Sequence, residues 1–168
     1  MNGANYTLCF VPQYINILRN ALVLFVWIVV VSGCKTSSYP VDRIVDGDTV
    51  VLLIDGKKTK VRLIGVDTPE TVHPRRPVEY YGPEASQFMK DLLTGRSVWL
   101  EYETKRTDRY GRTLAYLYLV PDSLFVNLEI IRLGYGRTYT KYSFRYKDRF
   151  ITAERTAQDA QLGLWRPQ

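Results

Sequence analysis

The sequence predicts an α+β fold in which a five-stranded Greek-key barrel carries three helices. Segments with strand and helix patterns follow residue 41 in the order three strands, one helix, two strands and two helices. Five strands with one helix between the third and the fourth are typical of the oligonucleotide-binding barrel, the OB-fold. Hydrophobic residues make up 46% of the chain and aromatic residues 13%, which is enough for a core and excludes wholesale disorder.

The first three strands are predicted by β-branched, alternating segments at residues 41–55 and 56–67. The stretch IDGKK between the second and third strands is a hairpin signal. The third strand has two unlike faces, because Lys58, Lys60 and Arg62 alternate with Thr59, Val61 and Leu63.

A proline-rich loop precedes the first helix, which the spacing of apolar residues predicts over residues 83–95. Pro83 suits the first helical turn and Gly95 can end the helix. Two further strands are predicted at residues 97–103 and 113–120.

Two helices complete the predicted domain. The first of them covers residues 123–134, with Ser123 as its N-terminal cap and Gly134 as its stop. The second is more polar and covers residues 147–163.

Residues 1–33 differ from the rest of the chain. They contain one charged residue, Arg19, and an unbroken run of 11 apolar residues at positions 21–31. The run is short for a membrane-spanning helix, which needs about 20 residues, and suits the apolar centre of a secretory signal. The small Ser-Gly pair before Cys34 resembles the lipobox of bacterial lipoprotein signals, in which the chain is cut before the cysteine and the cysteine carries lipid.

This pattern predicts a signal peptide at residues 1–33, a short tether at residues 34–40 and the barrel domain at residues 41–168. The mature protein would be exported and anchored to a membrane of the cell envelope by lipid on Cys34. Two alternatives stay open: an uncleaved anchor helix that begins near Ile15, and ordinary signal cleavage that gives a secreted protein.

Charge and cysteine usage limit the partners and the chemistry of the domain. The formal net charge is +6 for the chain and +5 without residues 1–33, so the basic character belongs to the domain. Such a charge favours a polyanionic partner, either nucleic acid or an anionic membrane surface. The two cysteines, Cys9 and Cys34, lie outside the domain, which therefore has no disulfide framework.

Two acidic stretches form a candidate metal site. Asp48 and Asp67 are 19 residues apart on strands predicted to be neighbours, with Asp46 and Glu70 beside them. Carboxylate oxygens are the ligands of a hard divalent cation such as calcium, and no cluster of histidine and cysteine favours zinc. Each acid also has an ordinary explanation, because Asp-Gly and Asp before Thr-Pro are common turn and loop sequences.

Two arginines form a candidate phosphate clamp. Arg62 lies on the strand that leads to Asp67, and Arg112 closes the stretch RTDRYGR at residues 106–112. Guanidinium groups bind phosphate through paired hydrogen bonds, and they would stabilise the extra charge of a five-coordinate transition state. Arg62 could instead be a solvated strand residue and Arg112 a turn residue.

Four blocks of the chain together resemble the staphylococcal nuclease (thermonuclease) family, in the family's order and at its spacings. The blocks are IVDGDTV, RLIGVDTPET, HPRRPVEYYGPEAS and RTDRYGRTLAY. The resemblance covers about residues 41 to 165. It implies a five-stranded barrel with three helices, and an enzyme that cleaves DNA and RNA with calcium and leaves 3′-phosphate ends.

The resemblance also implies roles for single residues. Asp48 and Asp67 would be calcium ligands, and Thr68 would offer its backbone carbonyl to the same ion. Glu70 would hold or activate the attacking water as a general base. The resemblance gives no reason to assign a catalytic role to the lone histidine, His73.

On the same resemblance, Arg62 and Arg112 would contact the scissile phosphate. Arg109 stands where the family usually has lysine, and with Tyr110 it would bind a neighbouring phosphate. A later loop supplies two tyrosines near the nucleotide in the family. Gap-free counting puts Thr140 and Tyr142 at those places with Tyr139 one residue away, so Tyr142 is the predicted contact and the alternatives stay open.

Three functions are compatible with the sequence. The first is a calcium-dependent, sugar-nonspecific nuclease that acts on DNA and RNA and is expected to be a monomer. The second is a catalytically inactive OB-fold module that only binds nucleic acid or a protein partner. The third is a structural lipoprotein whose charge binds lipid head groups. The presence of all five key residues favours the nuclease: Asp48, Arg62, Asp67, Glu70 and Arg112.

Overall fold

The structure, a computed structural model, describes residues 37–71 and 77–167. The chain divides into two units after Thr36, and every described residue belongs to the unit Ser37–Gln168. The predicted signal peptide, the lipobox with Cys34, and His73 lie outside the described residues. Within the described residues, no helix has the length and the apolar character needed to span a bilayer.

The described chain contains eight strands, three α-helices and one 3₁₀ turn. The strands are β1 (Ser38–Asp46), β2 (Thr49–Ile54), β3 (Lys57–Leu63), β4 (Val66–Asp67), β5 (Ser97–Glu101), β6 (Thr113–Leu119), β7 (Leu124–Phe125) and β8 (Arg137–Thr138). The helices are α1 (Gly82–Leu93), α2 (Val126–Arg132) and α3 (Lys147–Asp159), and the 3₁₀ turn is Gly163–Trp165.

Five of these strands close a barrel. The antiparallel pairs are β1–β2, β2–β3, β1–β5 and β5–β6. A parallel pairing of β3 with β6, in which Val61 lies opposite Thr113, closes the ring. The predicted fold class, a five-stranded OB-type barrel with three helices, is therefore confirmed.

The core fills the barrel and the layer beneath the helices. Its largest fully buried side chains include Tyr116, Phe150, Leu52, Leu63 and Met89. These residues come from three strands and two helices, so one core joins the barrel strands to the helices.

The barrel begins earlier than predicted. Ser38–Pro40, which the sequence assigns to the tether, pair with β5, with Ser38 opposite Trp99 and Pro40 opposite Ser97. The composition of this stretch is polar and turn-prone and gives no strand signal. Residues 38–40 form a strand because they pair with β5, which lies about 60 residues further along the chain. The division into signal, tether and domain as a whole stays a prediction.

The start of the second helix also differs from the prediction. Ser123 is not a cap: it has a φ of 54° and donates its N–H to the Leu119 carbonyl at 2.7 Å. Leu124 and Phe125 then pair with β6 as strand β7, so the helix can begin only at Val126. The hairpin that pairs β6 with β7 therefore determines where the helix begins, and the serine at position 123 does not cap it.

One short pairing matters for the site. Strand β4 pairs antiparallel with β8, so that Val66 lies opposite Thr138 and Asp67 opposite Arg137. The loop after β3 is thereby tied to the segment that follows α2.

Candidate active site

Two adjoining cavities lie at the end of β3 and share two residues, Arg62 and Arg112. The smaller, about 300 Å³, is called the acidic cavity here and is lined by Asp46, Asp48, Arg62, Asp67, Thr68, Pro69, Glu70, Glu79 and Arg112. The larger, about 490 Å³, is called the tyrosine pocket. Its lining includes Arg109, Tyr110, Tyr139 and Tyr142.

The turn between β1 and β2 positions Asp48. The Asp48 carbonyl accepts a hydrogen bond from the Leu63 N–H at 2.9 Å, and its side chain accepts one from the Thr68 N–H at 3.2 Å. Gly47 allows this contact, because a Cβ at that position would lie 2.7 Å from the Thr68 hydroxyl oxygen. Asp48 is consequently buried, with 7% of its surface exposed.

Arg62 lies between the two predicted metal ligands. Its Nη2 is 2.9 Å from Asp48 Oδ2 and 3.3 Å from Asp67 Oδ1. Its Nη1 donates to the Val66 carbonyl at 2.7 Å, which fixes the guanidinium against the loop before β4. The two carboxylates therefore meet at one positively charged nitrogen.

The acidic cavity carries more negative than positive charge. Five carboxyl groups and two guanidinium groups line it. Burial, together with the nearby charge of Asp48, raises the pKa of Asp46 to about 7. Burial also raises the pKa of Asp67, although the positive charge of Arg62 opposes the rise. A further cation in this cavity would relieve the repulsion between the carboxylates.

Glu70, which lines the acidic cavity, is held by Glu79. The Glu70 N–H donates to Glu79 Oε2 at 3.2 Å, and the Glu70 carbonyl accepts from the Glu79 N–H at 3.0 Å. Both side chains line the cavity. This double contact fixes the backbone at Glu70, the predicted general base.

Asp108 organises the loop that carries Arg112. Its carboxylate accepts from the backbone N–H groups of Tyr110 and Arg112, each at 2.9 Å, and from Arg112 Nε at 2.7 Å. Burial alone would raise the pKa of Asp108, but these hydrogen bonds outweigh it and lower the pKa. Because Asp108 engages only Nε of the side chain, the guanidinium keeps its other N–H groups for a phosphate.

The tyrosine pocket is basic and aromatic. Arg109 lies 4.7 Å from the ring centroid of Tyr110, and its Nη2 donates to the Tyr110 hydroxyl at 2.5 Å. Tyr110 and Tyr142 are the most exposed tyrosines at this site, with 67% and 60% of their surfaces exposed. Exposed rings beside cations suit stacking against bases and contact with phosphates.

The structure also separates the three candidates of the later loop. Tyr139 and Tyr142 both line the tyrosine pocket, with ring centroids 6.0 Å apart, whereas Thr140 is not part of its lining. The Tyr139 N–H donates to the Gly65 carbonyl at 3.0 Å, which extends the β4–β8 pairing by one residue and turns Tyr139 towards the pocket.

All described residues with a predicted role fall into these two cavities. The predicted catalytic and metal residues line the acidic cavity: Asp48, Arg62, Asp67, Thr68, Glu70 and Arg112. The predicted substrate residues Arg109, Tyr110 and Tyr142 line the tyrosine pocket. The structure thus assembles residues from positions 48 to 142 at one end of the barrel.

The donor set suits a hard cation such as calcium. Among residues 37–71 and 77–167, no group of three or more Asp, Glu, His or Cys side chains forms a complete metal-binding cluster. The predicted set has two carboxylates and one carbonyl, so water would complete the coordination that calcium prefers. Asp48 Oδ2 and Asp67 Oδ1 both lie within 3.3 Å of one Arg62 nitrogen, so the two carboxylates face the same cavity.

Sequence reasoning does not single out Glu79 and does not choose Tyr139. Glu79 had no assigned role, yet it lines the acidic cavity and binds Glu70. Tyr139, one of the open alternatives for the later loop, lines the tyrosine pocket beside Tyr142. No periodic signal marks either residue, because both lie in irregular segments near short pairings.

Comparison with known proteins identifies the family. The model of the staphylococcal nuclease homologue family matches residues 60–167. The chain belongs to the staphylococcal nuclease family. Staphylococcal nuclease relatives include a thermonuclease of Staphylococcus hyicus, 42% identical over 135 residues that cover 80% of this chain and 79% of the relative.

Two further relatives agree with this membership. A thermonuclease of Staphylococcus intermedius is 45% identical over 78% of this chain and 77% of its own length. Endonuclease YncB of Bacillus subtilis (strain 168) is 37% identical over 78% of this chain and 63% of its own length. The predicted family and the enzyme class, a nuclease among the hydrolases, are confirmed.

Proposed function

We propose that the protein is a calcium-dependent nuclease that hydrolyses phosphodiester bonds of both DNA and RNA and leaves 3′-phosphate ends. One observation carries the proposal. An acidic cavity suited to a cation shares Arg62 and Arg112 with a basic, tyrosine-lined pocket suited to a nucleotide. A phosphate at these arginines would have a metal site on one side and a nucleotide site on the other.

Calcium would be held by the carboxylates of Asp48 and Asp67 and by the backbone carbonyl of Thr68. A bound calcium ion draws electron density from phosphate oxygens and lowers the pKa of bound water. Asp48 is kept in position by the Thr68 N–H at 3.2 Å and by the Thr49 hydroxyl at 2.9 Å. These contacts prepare the site, so that little ordering is needed when the ion binds.

Arg62 and Arg112 would bind the scissile phosphate. Arg62 is anchored by the Val66 carbonyl, and Arg112 by Asp108, so both guanidinium groups have restricted freedom. Fixed positive groups stabilise the charge that develops on the phosphate oxygens in the transition state, and they need no reorganisation during the reaction.

Glu70 would accept a proton from the attacking water. A carboxylate oriented at the cavity makes the water a better nucleophile at the moment when its proton leaves. The backbone contacts with Glu79 hold Glu70 at that place.

Arg109, Tyr110 and Tyr142 would hold the nucleotide, with Tyr139 beside them. Their contacts would be to phosphate and to the faces of bases, which differ little between DNA and RNA. This kind of recognition supports cleavage without preference for sugar or sequence.

Export and anchoring are a separate proposal. Lipid on Cys34 would hold the enzyme at a membrane of the cell envelope, while an uncleaved helix or simple secretion are the other outcomes. Mass spectrometry of the protein from membranes tests this. A diacylated Cys34 supports the anchor, and an unmodified cysteine or a chain cut elsewhere contradicts it.

Nuclease activity is tested with the full chain and three substrates: duplex DNA, single-stranded DNA and RNA. Each is incubated with calcium, with magnesium and with a calcium chelator. An Arg62→Ala, Arg112→Ala double variant is purified in parallel, because contaminating nuclease would act equally in both preparations.

Cleavage of all three substrates with calcium, absent in the chelator and in the double variant, supports the proposal. The products must carry 3′-phosphate ends. Tight binding without cleavage under any metal would instead favour the inactive binding module.

A further inference from the structure

A second basic and aromatic surface borders the acidic cavity where β8 pairs with β4. It is called the β8 patch and consists of Tyr80, Tyr81, Arg137, Trp165 and Arg166. Arg137 and Arg166 are exposed, and 51% of Tyr80 is exposed. None of the five residues lines the acidic cavity or the tyrosine pocket.

Arg137 connects this patch to the metal site. It lies directly opposite Asp67 in the β4–β8 pair, and the Cα atoms of such partners are about 4.5 to 5.5 Å apart. Its guanidinium lies 5.4 Å from the centre of the Trp165 ring. One arginine thus stands between a predicted calcium ligand and an indole.

The tyrosines belong to the same surface, because the positive charge of Arg166 acts on the Tyr81 hydroxyl. Tyr81 stacks on Tyr135, two residues before Arg137, with ring centroids 5.6 Å apart. Tyr80 follows at 5.8 Å from Tyr81. Tyr80 also comes directly after Glu79, which lines the acidic cavity, so the patch borders the cavity at two places.

The charge of the acidic cavity explains why a basic surface beside it would help to bind nucleic acid. Five carboxyl groups and two arginines line the cavity, so its net charge repels a polyanion and a nucleic-acid strand must be attracted on the flanks. The tyrosine pocket supplies Lys105, Arg109 and Lys141 on one flank. A polymer that is cut in the middle also continues past the scissile phosphate on the side away from this pocket. The β8 patch borders the acidic cavity at Asp67 and Glu79, which do not line the tyrosine pocket.

We infer that the β8 patch is a second nucleotide subsite, in which Arg137 binds the next phosphate on the side of the scissile phosphate away from the tyrosine pocket. Trp165 and Tyr80 offer ring faces to the adjoining base. This subsite rests on the proposed nuclease function. The subsite would bind polymers but not a dinucleotide whose only phosphate is the scissile one, because such a dinucleotide has no second phosphate to place there.

The test compares Arg137→Ala, Arg137→Lys and the matched control Arg96→Ala in the full chain. Arg96 is an exposed arginine that pairs with Asp122 and lines neither cavity, so its removal changes the net charge equally. Two readouts are used. One is kcat/KM with calcium on a 12-residue oligothymidylate and on the dinucleotide with a single phosphodiester bond. The other is binding of a labelled 12-residue oligothymidylate in chelator, over a range of salt.

Arg137→Ala is expected to lower kcat/KM on the 12-residue substrate by about 10-fold, which is the effect of one lost charge-assisted contact, and to leave the dinucleotide unchanged. Its binding in chelator should weaken similarly, and the salt slope should fall by about 0.7. For Arg137→Lys, kcat/KM on the 12-residue substrate and its binding should stay within about threefold of the wild type. For Arg96→Ala, both quantities should equal those of the wild type.

An equal loss of kcat/KM on both substrates would mean that Arg137 acts through Asp67, its partner in the β4–β8 pair, and would overturn the subsite. So would unchanged binding and cleavage of the 12-residue strand. The binding readout does not depend on cleavage. A wild type that binds through Arg137 but never cuts would overturn the proposed function and leave the subsite standing.

Discussion

At the scale of single residues, Arg62 has two tasks. It balances Asp48 and Asp67, the predicted calcium ligands, and it presents a guanidinium to the tyrosine pocket. Only 15% of its side chain is exposed. Its anchor on the Val66 carbonyl means that the arginine can change its ionic partners without losing its position.

Arg112 provides the cleaner test of phosphate binding, because its ion pair is with Asp108, whereas Arg62 is paired with both predicted calcium ligands. Replacement by Ala should lower kcat by roughly 100-fold or more, the usual cost of removing a donor to a developing charge. Arg106→Ala is the matched control from the same loop. Arg106 packs on the Tyr102 ring at 4.4 Å and lines neither cavity.

Steady-state kinetics with single-stranded DNA measure both variants. Arg106→Ala should keep kcat within a few-fold of the wild type. If Arg112→Ala keeps full activity while folding normally, the assignment of Arg112 to the scissile phosphate is wrong.

Glu70 tests the role of general base. Glu70→Gln keeps the size of the side chain but removes its ability to accept a proton at neutral pH, so turnover should fall far more than calcium affinity. Calcium-dependence curves of the rate separate the two quantities. Glu84→Gln, an exposed acid in the first turn of α1, is the control and should change neither. A loss confined to calcium affinity would make Glu70 a metal ligand instead.

At the scale of elements, the loop at residues 104–112 depends on one carboxylate. Asp108 ties Tyr110 and Arg112 into place, and its pKa is lowered in the folded protein. A carboxyl group whose pKa is lower in the folded state stabilises the fold above its ordinary pKa, and this stabilisation is lost as the pH falls through the folded-state pKa.

Asp108→Asn should therefore lower the free energy of unfolding at neutral pH, and the difference from the wild type should shrink as the pH falls below about 4. Urea unfolding at several pH values between neutral and acid measures this. A difference that stays constant down to the lowest pH would contradict the ionic role of Asp108.

A second element is fixed by Asn127, which is fully buried at the start of α2. Its side chain accepts from the Leu117 N–H and donates to the Ile64 carbonyl, both at 2.9 Å. It thus joins the helix to β6 and to the loop that precedes β4.

Asn127→Ala should cost about 2 to 4 kcal/mol of unfolding free energy, because two buried backbone groups lose their partner. Gln158→Ala on the exposed face of α3 deletes an amide without such contacts and should cost little. Urea unfolding of both variants at one pH gives the comparison. Equal costs would mean that the buried hydrogen bonds of Asn127 contribute little.

The sequence predicts those parts of the site that follow from regular pairing. Counting back from the turn IDGKK pairs Ile54 with Lys57 and Thr49 with Arg62, which brings Arg62 beside Asp48. An alternating pattern and one turn signal suffice for this step.

Other parts have no such signal. Strands β4 and β8 have two residues each, too few for a periodic pattern, so the pairing of Asp67 with Arg137 is invisible in the sequence. The same holds for the position of Glu79 within the proline-rich loop. The choice between Tyr139 and Thr140 depends on this same short pairing.

At the scale of the whole molecule, closure of the barrel assembles the site. The parallel contact of β3 with β6 brings Arg62 opposite Leu114, two residues after Arg112. Segments that are about 50 residues apart along the chain thus share two cavities. The positive charge of the domain then attracts nucleic acid to a centre that is itself acidic.

The most direct test of this arrangement is a calcium titration of nuclease activity for Asp48→Asn, Asp67→Asn and the control Asp55→Asn. Asp55 lies in the β2–β3 turn with a φ of 49°, which asparagine tolerates well, and it lines neither cavity. Asp48→Asn and Asp67→Asn should need about 10-fold more calcium or more for half-maximal rate, because each removes one charged ligand. Asp55→Asn should match the wild type. If the two site variants are activated at the wild-type calcium concentration, the acidic cavity does not hold the metal and the proposed mechanism is wrong.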